Sequence, residues 1–250
     1  GPFSHLFEEV LQRKKKKSHE QIGKQIILKT EIGDIISKNG FDKRLIHNLA
    51  VGESRLQFMN EIISGALSAD MMDYLLRDGY FTGAEHAKID HSRITYSLDV
   101  YKRKLALDHS ALVNFETMMI SRFQMFKAVY FHKTVRAGEV MLLEAMTLAD
   151  DELGLTSLTL DDYVKKTDES IMESLLSIPE TNSELRAAKK IARDYQNRRL
   201  FKCVFEKTIS SNLSTKVMQE LKNRIIKKSK ANTGQVFLDT STTHSIPLTP

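Results

Sequence analysis

Residues 64–83, SGALSADMMDYLLRDGYFTG, carry helix start and stop signals that frame one element within a single short stretch. Ser68 is an N-cap residue type, Asp70 falls in a first turn where the helix dipole favours a carboxylate, and Gly83 supplies a left-handed exit. A helix from near residue 68 to near residue 82 is therefore expected. Met72, Leu75 and Leu76 would form its apolar stripe. Asp70, Asp73, Tyr74, Arg77 and Asp78 recur at steps of three and four and share a mostly polar side. Two readings stay open for that side. It is a solvated face with an Asp73–Arg77 ion pair, or it is partly packed, because Met, Leu and Tyr outnumber the charges. In the second case burial of three carboxylates needs an offset, which a metal ion or a bound phosphate site would supply.

Helical periodicity dominates on both sides of this element. An amphipathic helix over 3–12 turns Phe3, Leu6, Phe7, Val10 and Leu11 inward, and the four lysines 14–17 read as a solvated loop. Ser18 caps a helix over 19–37 that stops at Asn39-Gly40. Shorter helices follow over 41–52 and 55–63. Residues 94–99 and 100–106 alternate and suggest a hairpin. A long helix is expected over 110–136, continued or restarted over 138–151, with Met118, Met119, Met125 and Phe126 as core. Thr159 caps a further helix, and 170–176 is helical. After Ile178-Pro179 the pattern changes to a helix over 184–195, an alternating strand over 199–206, a helix over 214–228 and a strand over 235–240. The expectation is a mainly α fold: a helical bundle over 1–177 and a smaller C-terminal α+β unit over 178–250.

Composition narrows the setting. The chain of 250 residues has material for one large core or two smaller ones. It has no apolar run long enough to span a bilayer, so no membrane partner is expected. A single cysteine, Cys203, rules out an internal disulfide framework and suits a reducing, cytoplasmic setting. A net charge of +5 suits polyanionic ligands such as nucleotides. The lack of Trp and of aromatic-rich basic segments argues against nucleic-acid binding.

The motif S-A-D-x-M-D-Y-L-L-R-D-x-Y-x-T-G over residues 68–83 resembles the last conserved motif of HD-domain phosphohydrolases. The branch it resembles contains the deoxynucleoside triphosphate triphosphohydrolases, the SAM-and-HD-domain-like enzymes. Ile89, Asp90, Arg93 and Ile94 match that branch's I-D-x-x-R-I. Arg122 with Val129-Tyr130-Phe131-His132-Lys133 is similar to its arginine-to-AYxHK segment. Ser18-His19-Glu20 resembles the S-H-E that opens its catalytic helix. Gly1-Pro2-Phe3-Ser4-His5 looks like the G-P-F-S-H that directly follows the H-D-x-G-H motif. A Gly-Pro pair is also what a protease scar leaves, but the match runs on past it. The resemblance covers residues 1–177 and extends more loosely over 178–250.

Several expectations come with the resemblance. Fold and chemistry would be those of an HD-domain bundle holding a divalent metal (Mg, Mn, Fe, Zn or Ni) through two histidines and two aspartates. Asp70 matches the last of these ligands, and the others would precede Gly1, so the chain is expected to be part of a longer protein. His19 and Glu20 match the proton-transfer dyad, with Glu8 a further acidic group. His5, Tyr74, Asp78, Arg122 and Tyr130 match substrate-contacting positions, Asp78 accepting from the 3′-hydroxyl of a deoxyribose. The implied reaction splits a deoxynucleoside triphosphate into deoxynucleoside and triphosphate, within a homo-oligomer (dimer or tetramer). Met71 departs from the family, which has Lys or Arg there. That departure keeps open an HD phosphohydrolase acting on another nucleotide or phosphoester, beside a catalytically silent nucleotide-sensing scaffold.

Overall fold

The computed structural model describes residues 3–15, 18–207, 214–229 and 236–240. The Gly1-Pro2 part of the first motif, Lys16 and Lys17, Gln235 and the chain after Thr240 lie outside the described residues.

Two apolar cores organise the helices. Helix α1 (Ser4–Lys15) lays Phe7, Val10 and Leu11 against the long α9 (Lys133–Leu153). The same core takes in Ile171 and Leu175 of α11 (Asp168–Ser177), Ile178, and Leu185, Ala188 and Ala192 of α12 (Ser183–Gln196). Packing thus continues through the Ile178-Pro179 punctuation. The second core is centred on α6 (Ala69–Thr82), whose Met71, Met72 and Leu75 meet Ala87, Ile89, Ile94 and the Met118 and Met125 of α8 (Leu112–Met125). The helix expected over 68–82 forms with its expected ends: Ser68 accepts from the Met71 amide, and Gly83 exits with φ 69°. Gly79 lets the helix approach a 3₁₀ turn, Glu85–Ala87, so closely that a Cβ there would lie 2.4 Å from that of Ala87.

The remaining elements show where tertiary demands overrode periodicity. The helix expected over 19–37 divides into α2 (His19–Lys29) and α3 (Glu31–Lys38). Thr30 is extended between them; its hydroxyl donates to the Ile26 carbonyl and accepts from the Ile32 amide. Gly33 sits against the Ile27 carbonyl, where any Cβ would collide. Helices α4 (Lys43–Ala50) and α5 (Gln57–Ser64) follow. Ile94 belongs to α7 (His91–Tyr96) and not to the hairpin. The hairpin instead pairs β1 (Leu98–Tyr101) with β2 (Lys104–Leu107), turning through left-handed Lys102 and Arg103.

The long helix expected over 110–136 is interrupted. A π-helical turn, Phe126–Tyr130, follows α8, with the Phe131 amide bonded to the Phe126 carbonyl. His132 then caps α9 through a ring nitrogen that accepts from the Thr134 amide. After α10 (Leu160–Lys165), α11 and α12, the expected strands over 199–206 and 235–240 do not pair among the described residues. Side chains hold those segments instead. Phe201 and Phe237 stack with centroids 4.8 Å apart, and Arg136 on α9 grips Asp239 with two bonds of 2.8 and 2.6 Å. Beside them lies α13 (Thr215–Ser229). The mainly α expectation holds, and the C-terminal part adds helices without a sheet among the described residues.

Candidate active site

One turn of α1 separates His5 from Glu8, which puts both on one face. Ser18 folds the chain into α2 through a capping box with Gln21, and this sets His19 at the helix start, beside Glu8. Glu8 Oε2 lies 2.6 Å from His19 Nδ1 and 3.4 Å from His5 Nδ1. Its other oxygen accepts from the His19 amide at 3.2 Å and from Gln12 at 3.1 Å. The Glu8 side chain is only 12% exposed. Burial alone would raise its pKa, but the bonds from His19 and His5 outweigh that and hold the carboxyl below the usual carboxylate range. Glu20 is exposed and stands outside this cluster. Geometrically, the partner of His19 is Glu8, eleven residues earlier, and not the neighbour in sequence.

A second set lines α6 where it faces α8 and the π-helical turn. Tyr74 accepts from Arg122 Nε at 3.1 Å, and the guanidinium lies over the Phe126 ring. The Tyr130 hydroxyl donates to Asp78 Oδ2 at 2.6 Å. Burial, reinforced by the Asp78 carboxylate, pushes the Tyr130 phenol well above its ordinary pKa. The Tyr74 and Tyr130 rings meet edge to face. Four of the five residues expected to contact substrate stand together here, while the fifth, His5, lies in the other cluster beside Glu8. On the opposite flank, Asp73 and Arg77 form the exposed ion pair of the solvated-face reading, 2.7 Å long. Asp70 is exposed in the first turn of α6.

The HD associated region family matches residues 89–248. The chain belongs to that family. The uncharacterized protein YwfO of Bacillus subtilis is 33% identical over 223 residues, which is 82% of this chain and 50% of that protein. The deoxynucleoside triphosphate triphosphohydrolase SAMHD1 homolog of Dictyostelium discoideum is 28% identical over 229 residues, 85% of this chain and 43% of that one. The chain thus spans about half the length of these curated relatives. A crystal structure of a phosphohydrolase from Bacteroides thetaiotaomicron shares the fold, with TM-score 0.69 and 22% identity over 94% of this chain and 62% of that one. The family match and these relatives bear out the resemblance to the SAMHD1-like branch of HD-domain phosphohydrolases.

Among the described residues, His5, Glu8 and His19 are the one group of three with metal-ligand donors within 4.8 Å of one another. Their spacing does not suit a shared ion. Two ligands with metal bonds of about 2.1 Å at a tetrahedral angle stand roughly 3.4 Å apart. The 2.6 Å separation of Glu8 and His19 is that of a hydrogen-bonded acid–base pair. Asp70, exposed in the first turn of α6, lies outside this group and offers one carboxylate.

Three features were missed in the sequence. Gln12 supports Glu8 from one turn away, a spacing the sequence does show. Burial raises the phenol pKa of Tyr163 on α10 and the Glu8 charge adds to it, a relation between distant parts of the chain with no local signal. Met71 is buried in the α6 core, so at this position packing replaces the family's cation.

Proposed function

We propose that this chain forms part of a metal-dependent phosphohydrolase that cleaves deoxynucleoside triphosphates into deoxynucleoside and triphosphate. The observation that carries the reading is the Glu8–His19 pair, a partly buried carboxylate fixing an imidazole at the start of α2. A histidine so oriented can hand a proton to a departing sugar oxygen, while Glu8 stabilises its cationic form. His5 shares Glu8 and, in this reading, contacts a phosphate or sugar. Arg122 is suited to a phosphoryl oxygen, and Tyr74 orients its guanidinium. Asp78 gives one oxygen to Tyr130 and keeps the other for a sugar hydroxyl. Asp70 would be one ligand of the divalent ion, which polarises a phosphoryl oxygen or activates water when bound. The named activity of the Dictyostelium relative supports the choice of substrate. Assembly as a dimer or tetramer and a cytoplasmic location belong to the same reading. No helix among the described residues is long and apolar enough to cross a membrane.

The buried Met71 favours a second reading, in which the substrate is another nucleotide or phosphoester with fewer phosphate charges to meet. A product assay on the full-length protein with a panel of nucleotides and metals separates the two. Inorganic triphosphate together with deoxynucleoside supports the first; pyrophosphate or orthophosphate overturns it. His19→Ala should lower turnover by roughly two to four orders of magnitude without loss of bound metal.

A further inference from the structure

A cavity of about 460 Å³ opens between α1, α2, α10 and the 3₁₀ turn Leu155–Ser157. That volume lies within the range of roughly 300–1,000 Å³ typical of small-molecule sites. Its floor is apolar, from Leu11, Leu28 and Leu158, with the ring of Tyr163 beside them. Its rim on α2 is Lys24 and Lys29, and neither lysine enters an ion pair or hydrogen bond among the described residues. Helix α2 buries none of its side chains fully, although it carries Ile22, Ile26, Ile27 and Leu28. An amphipathic helix in this position ordinarily closes its apolar stripe against a neighbour. Here part of that stripe borders the cavity instead.

We infer that this cavity binds a small amphipathic anion, with an apolar body against Leu11, Leu28, Leu158 and Tyr163 and its anionic head between Lys24 and Lys29. Apolar floor and cationic rim each select one half of such a molecule, and the volume suits a body the size of a fused aromatic pair or a medium acyl chain. The site also shares structure with the Glu8–His19 pair. Tyr163 lies within reach of the Glu8 charge, and Gln21, another lining residue, closes the capping box that sets His19.

The test uses full-length protein and anilinonaphthalene sulfonate, whose fluorescence reports transfer from water to an apolar site. One saturable site is expected. Decanoate and deoxyadenosine monophosphate then serve as competitors: displacement by the first identifies an acyl carboxylate, and by the second an aromatic phosphate. Leu158→Trp should fill the cavity and abolish binding. The double variant Lys24→Glu/Lys29→Glu leaves the cavity open and should weaken binding by about tenfold or more through charge reversal. His19→Ala should leave probe binding unaltered, so that loss of the proposed catalysis and loss of this site read out separately. Absence of a saturable site, displacement by neither competitor, or binding that survives the lysine reversals would overturn the inference.

Discussion

The Tyr130 hydroxyl donates to Asp78 at 2.6 Å and thereby closes α6 onto the π-helical turn that follows α8. The turn makes this possible: one extra residue per turn rotates Tyr130 relative to the α-helical register that precedes it. Tyr130→Phe removes the donor and keeps the ring. If Asp78 holds a sugar hydroxyl, the variant should raise KM more than it lowers kcat, because the carboxylate remains but loses its orientation. Stability should fall by about 1 kcal/mol, the ordinary net value of one hydrogen bond. Steady-state kinetics with denaturant unfolding checks both, and a KM equal to that of the parent would remove Asp78–Tyr130 from the substrate site.

Glu8 gives the chain a defined acid sensitivity. Its folded-state pKa lies below the unfolded value of 4.5. The stabilisation it contributes is therefore fully present above that value and is lost as pH falls through the lower folded pKa. Glu8→Gln keeps the shape and removes the titration. The stability gap between parent and variant should be widest well above pH 4.5 and close as pH falls below that value, as read by urea unfolding at each pH. A gap that stays constant as pH falls would show that the His19 contact does not hold Glu8 in its charged form.

How far these features were legible in the sequence depends on their range. Ser68 and Gly83 are local devices, each satisfied within its own turn, so the central helix can be placed from composition and spacing alone. Thr30 also acts locally, but periodicity hides it: apolar residues continue through both α2 and α3 at helical steps, and the division lies in the extended backbone of Thr30, whose hydroxyl caps α3 by accepting from the Ile32 amide. The alternation of Phe201, Cys203 and Phe205 imitates a strand. With Phe237 stacked on Phe201 and Asp239 tied to Arg136, side chains fix that region and no ladder is needed. At the site, the i, i+4 spacing of Tyr74 and Asp78 was readable from one helix. The partnership of His19 with Glu8 instead depends on the angle between α1 and α2, which no spacing encodes.

Asp70 tests the metal reading on its own. It is exposed and caps no helix, so Asp70→Ala removes a carboxylate without opening a cavity or stranding a buried partner. Far-ultraviolet circular dichroism and melting should stay close to the parent. Metal content of the full-length protein, measured by plasma mass spectrometry after dialysis, should fall several-fold, and turnover with it. Retained metal in an inactive variant would make Asp70 a substrate contact, and retained metal with retained turnover would take it out of the site.

The last prediction concerns what keeps α1, and hence His5 and Glu8, in place. Lys14 at the end of α1 reaches two neighbouring carboxylates at the end of α9, at 3.1 Å to Asp150 and 2.7 Å to Asp151. The two are not equivalent. The Asp150 side chain is 4% exposed and also accepts from the Thr156 amide and hydroxyl, each at 2.8 Å; the Asp151 side chain is 91% exposed. An exposed pair contributes at most about 1 kcal/mol, because water and salt screen it. A buried carboxylate that loses its cation retains the cost of its own desolvation, about 1–3 kcal/mol. Lys14→Met should therefore destabilise the chain by about 1–3 kcal/mol, while Asp151→Asn should leave stability close to that of the parent. The shorter contact is thus expected to matter less than the longer one. Chemical unfolding of the two variants decides it: equal losses would mean that Lys14 acts through the exposed partner and that Thr156 alone satisfies Asp150.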